Sequence, residues 1–195
     1  TAAKEYGEIY DKYRTRLAGL YARMYQGRCL QKMGKHKDAL GYFTELLANP
    51  DQPDAFRTLR IKVTELAIPS WIDQKLYLEV VDKNKEKRPM QLIDSARPAE
   101  DKTEEFMSMR LGVAKAMKLY ADELKAKDPK DPNIRKLMQD GRKLVQYVTK
   151  FPGEYKEQAQ KLLPDFGPVD AVAGGDKPDP KDFAEARKAG KEAVD

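Results

Sequence analysis

The stretch Gly27-Arg28-Cys29-Leu30-Gln31-Lys32-Met33-Gly34-Lys35-His36-Lys37-Asp38-Ala39-Leu40-Gly41-Tyr42-Phe43 decides the fold. On its N-terminal side Tyr21, Tyr25, Cys29, Leu30 and Met33 recur at helical spacing, and Gly34 closes that helix. On its C-terminal side Ala39, Leu40, Phe43, Leu46 and Leu47 form a one-sided stripe that ends at Asn49-Pro50. So short a connection forces the two helices antiparallel. The pair is too small to bury its own apolar sides, so it needs neighbours stacked against it.

Working outward, the same periodicity covers almost the whole chain, and no sustained alternating segment rich in β-branched residues interrupts it. The fold class is therefore all-α. Upstream, Tyr6, Tyr10, Tyr13, Leu17, Leu20 and Met24 step by three or four residues along one face, with Gly19 as a point of break or close approach. Downstream, a helix after Pro53 carries Phe56, Leu59, Val63, Leu66 and Ala67 inward and is expected to close before Pro69. A following helix with Ile72, Leu76, Tyr77 and Val80 completes a second hairpin, in which Trp71 reads as a core plug. Residues 83–102 read as a charged, irregular hinge or functional loop, with Pro89 and Pro98 denying helix and Met90, Leu92 and Ile93 as its anchors.

Thr103 is placed to cap a long helix through Phe106, Met109, Val113, Met117, Tyr120 and Leu124, which stops at Asp128-Pro129. Asp131-Pro132 starts its partner, with Ile134, Leu137, Met138, Gly141, Leu144, Val145 and Val148 inward, and a short helix with Tyr155, Ala159, Leu162 and Leu163 covers the end of this third hairpin. The expected organisation is a helical repeat domain over residues 1–163, a linker over 164–180 and the start of a further helix over 181–195. Opening on Thr1 and ending on a helix without its partner, the chain reads as a segment of a longer protein.

Gly27, Gly34 seven residues later, Ala39 five after that, Phe43 four further on and Pro50 near the close resemble the tetratricopeptide repeat. The resemblance implies an α-solenoid of stacked hairpins. In it Gly27 lets two helices approach, Gly34 makes the turn, Ala39 fills a narrow crossing, Phe43 wedges between units and Pro50 ends the second helix. The repeats are divergent: Arg23 stands where the family carries a large aromatic and Gln26 where it carries an aliphatic residue. Leu111-Gly112 resembles the start of another unit, but Leu119 and Leu124 replace the small residues expected after it.

Composition excludes several classes. The 195 residues are 41% apolar and 35% charged, with 37 Lys+Arg against 32 Asp+Glu, the profile of a highly charged helical protein. One cysteine and one histidine cannot build a disulfide framework or a Cys/His metal centre. No apolar run approaches the roughly 20 residues needed to cross a bilayer. The single thiol fits cytosol and an exported compartment alike. The surplus of basic residues is spread out, and its densest cluster, Lys83 to Arg88, reads as a solvated loop, so nucleic acid is an unfavoured partner.

No constellation for catalysis assembles. Ala173-Gly174-Gly175-Asp176 lacks the Lys-Ser/Thr of a phosphate loop, Cys29 sits among apolar neighbours as a packed thiol, and His36 reads as a surface or capping residue. Glu104-Glu105 and Asp122-Glu123 read as helix-surface carboxylates. The expectation is a noncatalytic scaffold, with no cofactor and no metal, that binds a protein or peptide partner. The resemblance puts the first helix of each unit along a concave groove, where the exposed face would include Tyr21, Met24, Arg28, Gln31 and Lys32. There Arg28 and Lys32 could flank a carboxylate while Tyr21 and Met24 offer apolar contact, unless both are buried against the preceding helix. The rival expectations are a binder of nucleic acid or another anionic surface, and an accessory helical domain of an enzyme.

Overall fold

The computed structural model describes residues 1–48 and 54–167, with side chains described from Phe56 in the second stretch. Pro50, residues 168–180 of the expected linker and the helix expected over 181–195 lie outside the described residues. Among the described residues every regular element is a helix: α1 (Ala2–Lys12), α2 (Leu17–Lys32), α3 (His36–Ala48), α4 (Asp54–Asp73), α5 (Tyr77–Val81), α6 (Pro89–Asp94), α7 (Glu104–Lys127), α8 (Pro132–Thr149) and α9 (Glu154–Leu162), followed by a 3-10 turn, Leu163–Phe166. Consecutive helices pack against each other, and α2 also meets α4, α4 meets α7, and α7 meets α9.

The N-terminal stripe belongs to two helices. The chain turns through Tyr13 to Arg16, where the Arg16 N–H donates to the Tyr13 carbonyl at 2.9 Å. Gly19 lies just beyond the turn, and a Cβ there would collide with that carbonyl. The glycine marks the close return of the chain, three residues after the break itself. The turn from α2 to α3 is a helix stop of the Schellman kind. Gly34 takes φ +75°, Lys35 N–H donates to Leu30 O at 3.0 Å and Gly34 N–H to Gln31 O at 3.0 Å. At the end of α4 Lys75 adopts the same left-handed conformation, φ 56°, with Leu76 N–H on Trp71 O at 2.8 Å.

Two expectations about prolines need correction. Helix α4 does not close before Pro69 but runs through it to Asp73. An interior proline costs about 3 kcal/mol, and burial on both sides of it offsets that: Ala67, Ile68, Ser70 and Trp71 are all within the core. Gln31 of α2 also clamps the adjoining turn, its Nε2 donating to Leu66 O and Ser70 Oγ at 2.7 Å each. Pro89 does not deny helix either. It is the first residue of α6, a position where its missing N–H has no intrahelical partner to lose. Leu92 and Ile93 of that helix are buried.

The charged segments flanking α6 are pinned. Glu79 receives Lys85 Nζ at 2.6 Å and Arg88 Nε at 2.7 Å. Glu100 receives Arg57 Nε and Nη2 at 2.6 and 2.7 Å. Asp101 is bound by the buried guanidinium of Arg110 and by the Tyr147 hydroxyl, and Arg110 lies 4.4 Å from the Tyr147 ring centre. These pairs tie the loop before α7 to α4, α7 and α8.

Helix α7 is shared by two apolar layers. Phe106, Met109 and Val113 face the main core built with α2 to α6. Met107, Leu111 and Ala114 face a second layer with Val145, Val148, Ala159 and Phe166. Thr103 holds the N-cap position of α7 without a capping side-chain bond. Asp131 does cap α8, accepting from Asn133 N–H at 2.8 Å. The packed region passes the expected edge at residue 163, because the Phe166 ring, fully buried, rests on Gly141 of α8 where a Cβ would strike it.

Candidate functional site

Helix α2 touches α4, α4 touches α7 and α7 touches α9, and polar side chains of α4 and α7 meet across their contact. At its centre Ser108 Oγ of α7 donates to Glu65 Oε1 of α4 at 2.7 Å. Tyr155 of α9 stands near enough to this pair to feel the Glu65 charge, so α9 adjoins the same centre. Burial pushes the Glu65 carboxyl above its ordinary range, the neighbouring Glu105 charge adds to this, and the Ser108 bond, Arg28 and Lys62 only partly oppose it. Burial and then the Glu65 charge raise the Tyr155 hydroxyl. Glu105 is held by Lys62 at 3.4 Å.

Beside this centre, between α7 and α9, lies an open groove of about 480 Å³ with Leu111, Gly112 and Leu162 as its floor and Ser108, Gln158, Lys115, Lys161 and Asp165 around it. Lys115 and Lys161 are exposed and have no carboxylate partner among the described residues, and the same is true of Arg28 and Lys32 on α2. In the groove the two exposed lysines stand against one unpaired acid, Asp165. At the centre Glu65 is pushed toward its neutral form and Glu105 is held by Lys62.

The five residues expected to line a groove are divided by the structure. Arg28 and Lys32 are exposed and one helical turn apart. Tyr21 is half-buried against the core. Met24 is 1% exposed, one of the most deeply buried side chains, so it belongs to the core and not to a ligand face. Gln31 gives its amide to α4, a packing role that withdraws it from ligand contact. Of the apolar pair Met24 is interior and Tyr21 half-buried, and the cationic pair remains exposed.

The repeat-motif residues Ala39 and Phe43 are both fully buried. A Cβ on Gly27 would stand 2.8 Å from Phe43 Cε1, so Gly27 is where the ring of α3 lies flat on α2. Arg23 replaces an aromatic with a stacked guanidinium. It sits 4.6 Å from the Tyr10 ring centre and 3.8 Å from that of Tyr42, and it donates to Glu45 through Nε at 3.0 Å and Nη2 at 2.5 Å. Trp71 is 2% exposed, with Arg88 5.2 Å from its ring.

His36 Nδ1 lies 3.1 Å from Ser70 Oγ, and Cys29 is a half-buried free thiol. Neither lines the groove. Among the described residues no group of three or more His, Cys, Asp or Glu side chains could hold a metal ion, and no helix is long and apolar enough to cross a membrane. No family model, curated protein or solved structure matches the chain.

The sequence reading missed Glu65, Ser108, Tyr155, Lys115 and Lys161. One signal for Glu65 was present: a carboxylate within the run Val63-Thr64-Glu65-Leu66-Ala67, whose neighbours all turn inward or half-inward. Ser108 and Tyr155 carry no local motif, since their partners lie 43 or more residues away in the chain.

Proposed function

We propose that this chain is a divergent, tetratricopeptide-like stack of helical hairpins that works as a noncatalytic protein-interaction scaffold. Its inner face, made by α2, α4, α7 and α9, takes an extended acidic peptide. The observation that carries the reading is the set of exposed cations Arg28, Lys32, Lys115 and Lys161, none within ion-pair distance of a carboxylate among the described residues, against Glu65 shifted toward its neutral form, Glu105 held by Lys62 and one unpaired acid, Asp165. Successive packing of α2 on α4 and α4 on α7 supports the stacked arrangement, because these are the first helices of successive hairpins, and α9 covers α7 at the end. Charge-assisted bonds to peptide carboxylates would set register and orientation, and the groove over Gly112, with Leu111 and Leu162, would receive one apolar side chain.

The test is a displayed library of random peptides selected on the full chain in about 0.15 M salt. Sequences rich in Asp and Glu should be enriched, and the Arg28→Glu/Lys115→Glu double variant, folded to the same helical content, should lose at least tenfold in their recovery. Equal recovery by the double variant would refute the reading, as would a selection without enrichment. Single-stranded RNA offered under the same conditions should not be retained, and retention dependent on these cations would favour the anionic-surface rival.

A further inference from the structure

On the other side of Asp165, which borders both grooves, the ends of α7 and α8 and the 3-10 turn enclose a second open groove of about 530 Å³. Its floor is apolar, formed by the half-buried Ile134 and Met138 of α8 over the buried Ala121 of α7 and Phe166. The cations Lys118, Lys125 and Arg135 stand around it. Lys118 is already bound to Asp122 at 2.5 Å. Lys125 and Arg135 are exposed and have no carboxylate partner among the described residues, against the one unpaired acid of the rim, Asp165. The neighbourhood is fixed, because Phe166 is seated on Gly141 and Arg142 Nη1 donates to the Gly167 carbonyl.

We propose that this groove is a second docking site, distinct from the inner face, for a segment of a partner protein in which a carboxylate is flanked by aliphatic side chains. The aliphatic groups would lie on Ile134 and Met138, and the carboxylate would bridge Lys125 and Arg135. Two features select this occupant. The excess of unpaired charge is positive, so a bare hydrocarbon leaves it unanswered and a basic segment is repelled. The groove is an open trough, whereas small-molecule sites bury about 70–90% of their ligand, so a strand of peptide that lies along it fits better than a compact amphiphile.

The experiment uses the full chain with methyl-labelled methionine and follows the Met138 ε-methyl signal, with the buried Met24 and Met109 methyls as internal references. The probes are a capped leucine–aspartate–leucine tripeptide, its asparagine analogue and decanoate. The tripeptide should move the Met138 signal saturably and leave Met24 and Met109 in place. The asparagine analogue should bind about two- to fivefold more weakly, the range for one solvent-exposed ion pair, and Arg135→Glu should abolish the preference for aspartate while the reference methyls stay unchanged. Arg28→Glu/Lys115→Glu should bind the tripeptide as the parent does, which separates this site from the inner face. An unmoved Met138 signal at about 10 mM tripeptide, roughly tenfold above a Kd of about 1 mM, would overturn the proposal, as would equal binding of the two peptides or a response to decanoate alone. A Met138 shift produced by Asp170→Lys without any peptide would assign the groove to the chain's own C-terminal residues and overturn it too.

Discussion

Adding one methyl group at Gly27 and one at Gly41 separates packing from helix propensity, because both glycines lie inside helices that flank the same turn. Alanine gains about 1 kcal/mol over glycine in a helix interior, and this gain is common to both sites. At Gly41 the new Cβ meets nothing within 4 Å, so Gly41→Ala should realise the gain. At Gly27 the Cβ would stand 2.8, 3.2 and 3.2 Å from three atoms of the Phe43 ring, which is itself fully buried and cannot swing into solvent. Overpacking a filled core costs about 1–3 kcal/mol. Gly27→Ala should therefore lie about 1–3 kcal/mol below Gly41→Ala, and Gly27→Leu lower still. For a chain of this size 1 kcal/mol corresponds to roughly 2–4 °C in Tm. Gly41→Ala should melt a few degrees above the parent and Gly27→Ala about 2–12 °C below Gly41→Ala, read by circular dichroism at 222 nm. Equal shifts for the two variants would mean that α2 and α3 do not cross at Gly27, and the stacked-hairpin reading would fall with that contact.

Other perturbations probe separate parts of the structure. Folded Glu65 titrates above the unfolded carboxyl, so the stability it contributes is full below the unfolded value and is lost as pH rises through the folded one. Glu65→Gln should therefore be close to the parent near about pH 4 and more stable than it at about pH 7 in urea titrations; a difference independent of pH would contradict the burial of that carboxyl. The Arg57 hydrogen bonds hold Glu100 below its ordinary range, which reverses the sign. Glu100→Gln should be destabilising at about pH 7 and converge on the parent as acid protonates Glu100 through its folded value. Arg110→Met removes a guanidinium 5% exposed from an Asp101 that keeps 31% exposure. The loss should be about 3 kcal/mol, the low end for truncating one partner of a buried pair, with faster amide exchange over residues 95–103, and unchanged exchange would detach Arg110 from that loop. Lys75→Gly should stabilise by about 1 kcal/mol by relieving a left-handed side-chain penalty, and a lower melting point would show that the end of α4 does not turn there.

What the sequence made legible divides by the range of the interaction concerned. The α2–α3 turn was readable because its signals are local: Gly34 supplies the left-handed residue and the stripes on either side keep helical period. The break between α1 and α2 was not, because residues 13–16, Tyr-Arg-Thr-Arg, contain neither Gly nor Pro and the apolar spacing runs across the turn unchanged. Pro69 and Pro89 have the same intrinsic preferences yet end in different places, one inside α4 and one opening α6. What distinguishes them is the burial of Ser70 and Trp71 beyond the first and of Leu92 and Ile93 beyond the second, and that is decided by helices far away in the chain.

The inner face obeys the same rule. Arg28 and Lys32 could be placed together from one helix because a spacing of four is a local fact. Met24 lies four residues before Arg28 on the same helix, and spacing alone offers it to the same face. Only the neighbours α1 and α3 decide that its side chain points inward. Glu65, Ser108 and Tyr155 belong to three helices and converge only after α4, α7 and α9 have packed. The part of the site that depends on stacking was thus hidden from the sequence. The charge pattern follows from this: Arg28 and Lys32, placed by one helix, stay exposed, while Glu65 and Glu105, brought together by packing, are partly buried, so that Glu65 is pushed toward its neutral form and Glu105 is held by Lys62.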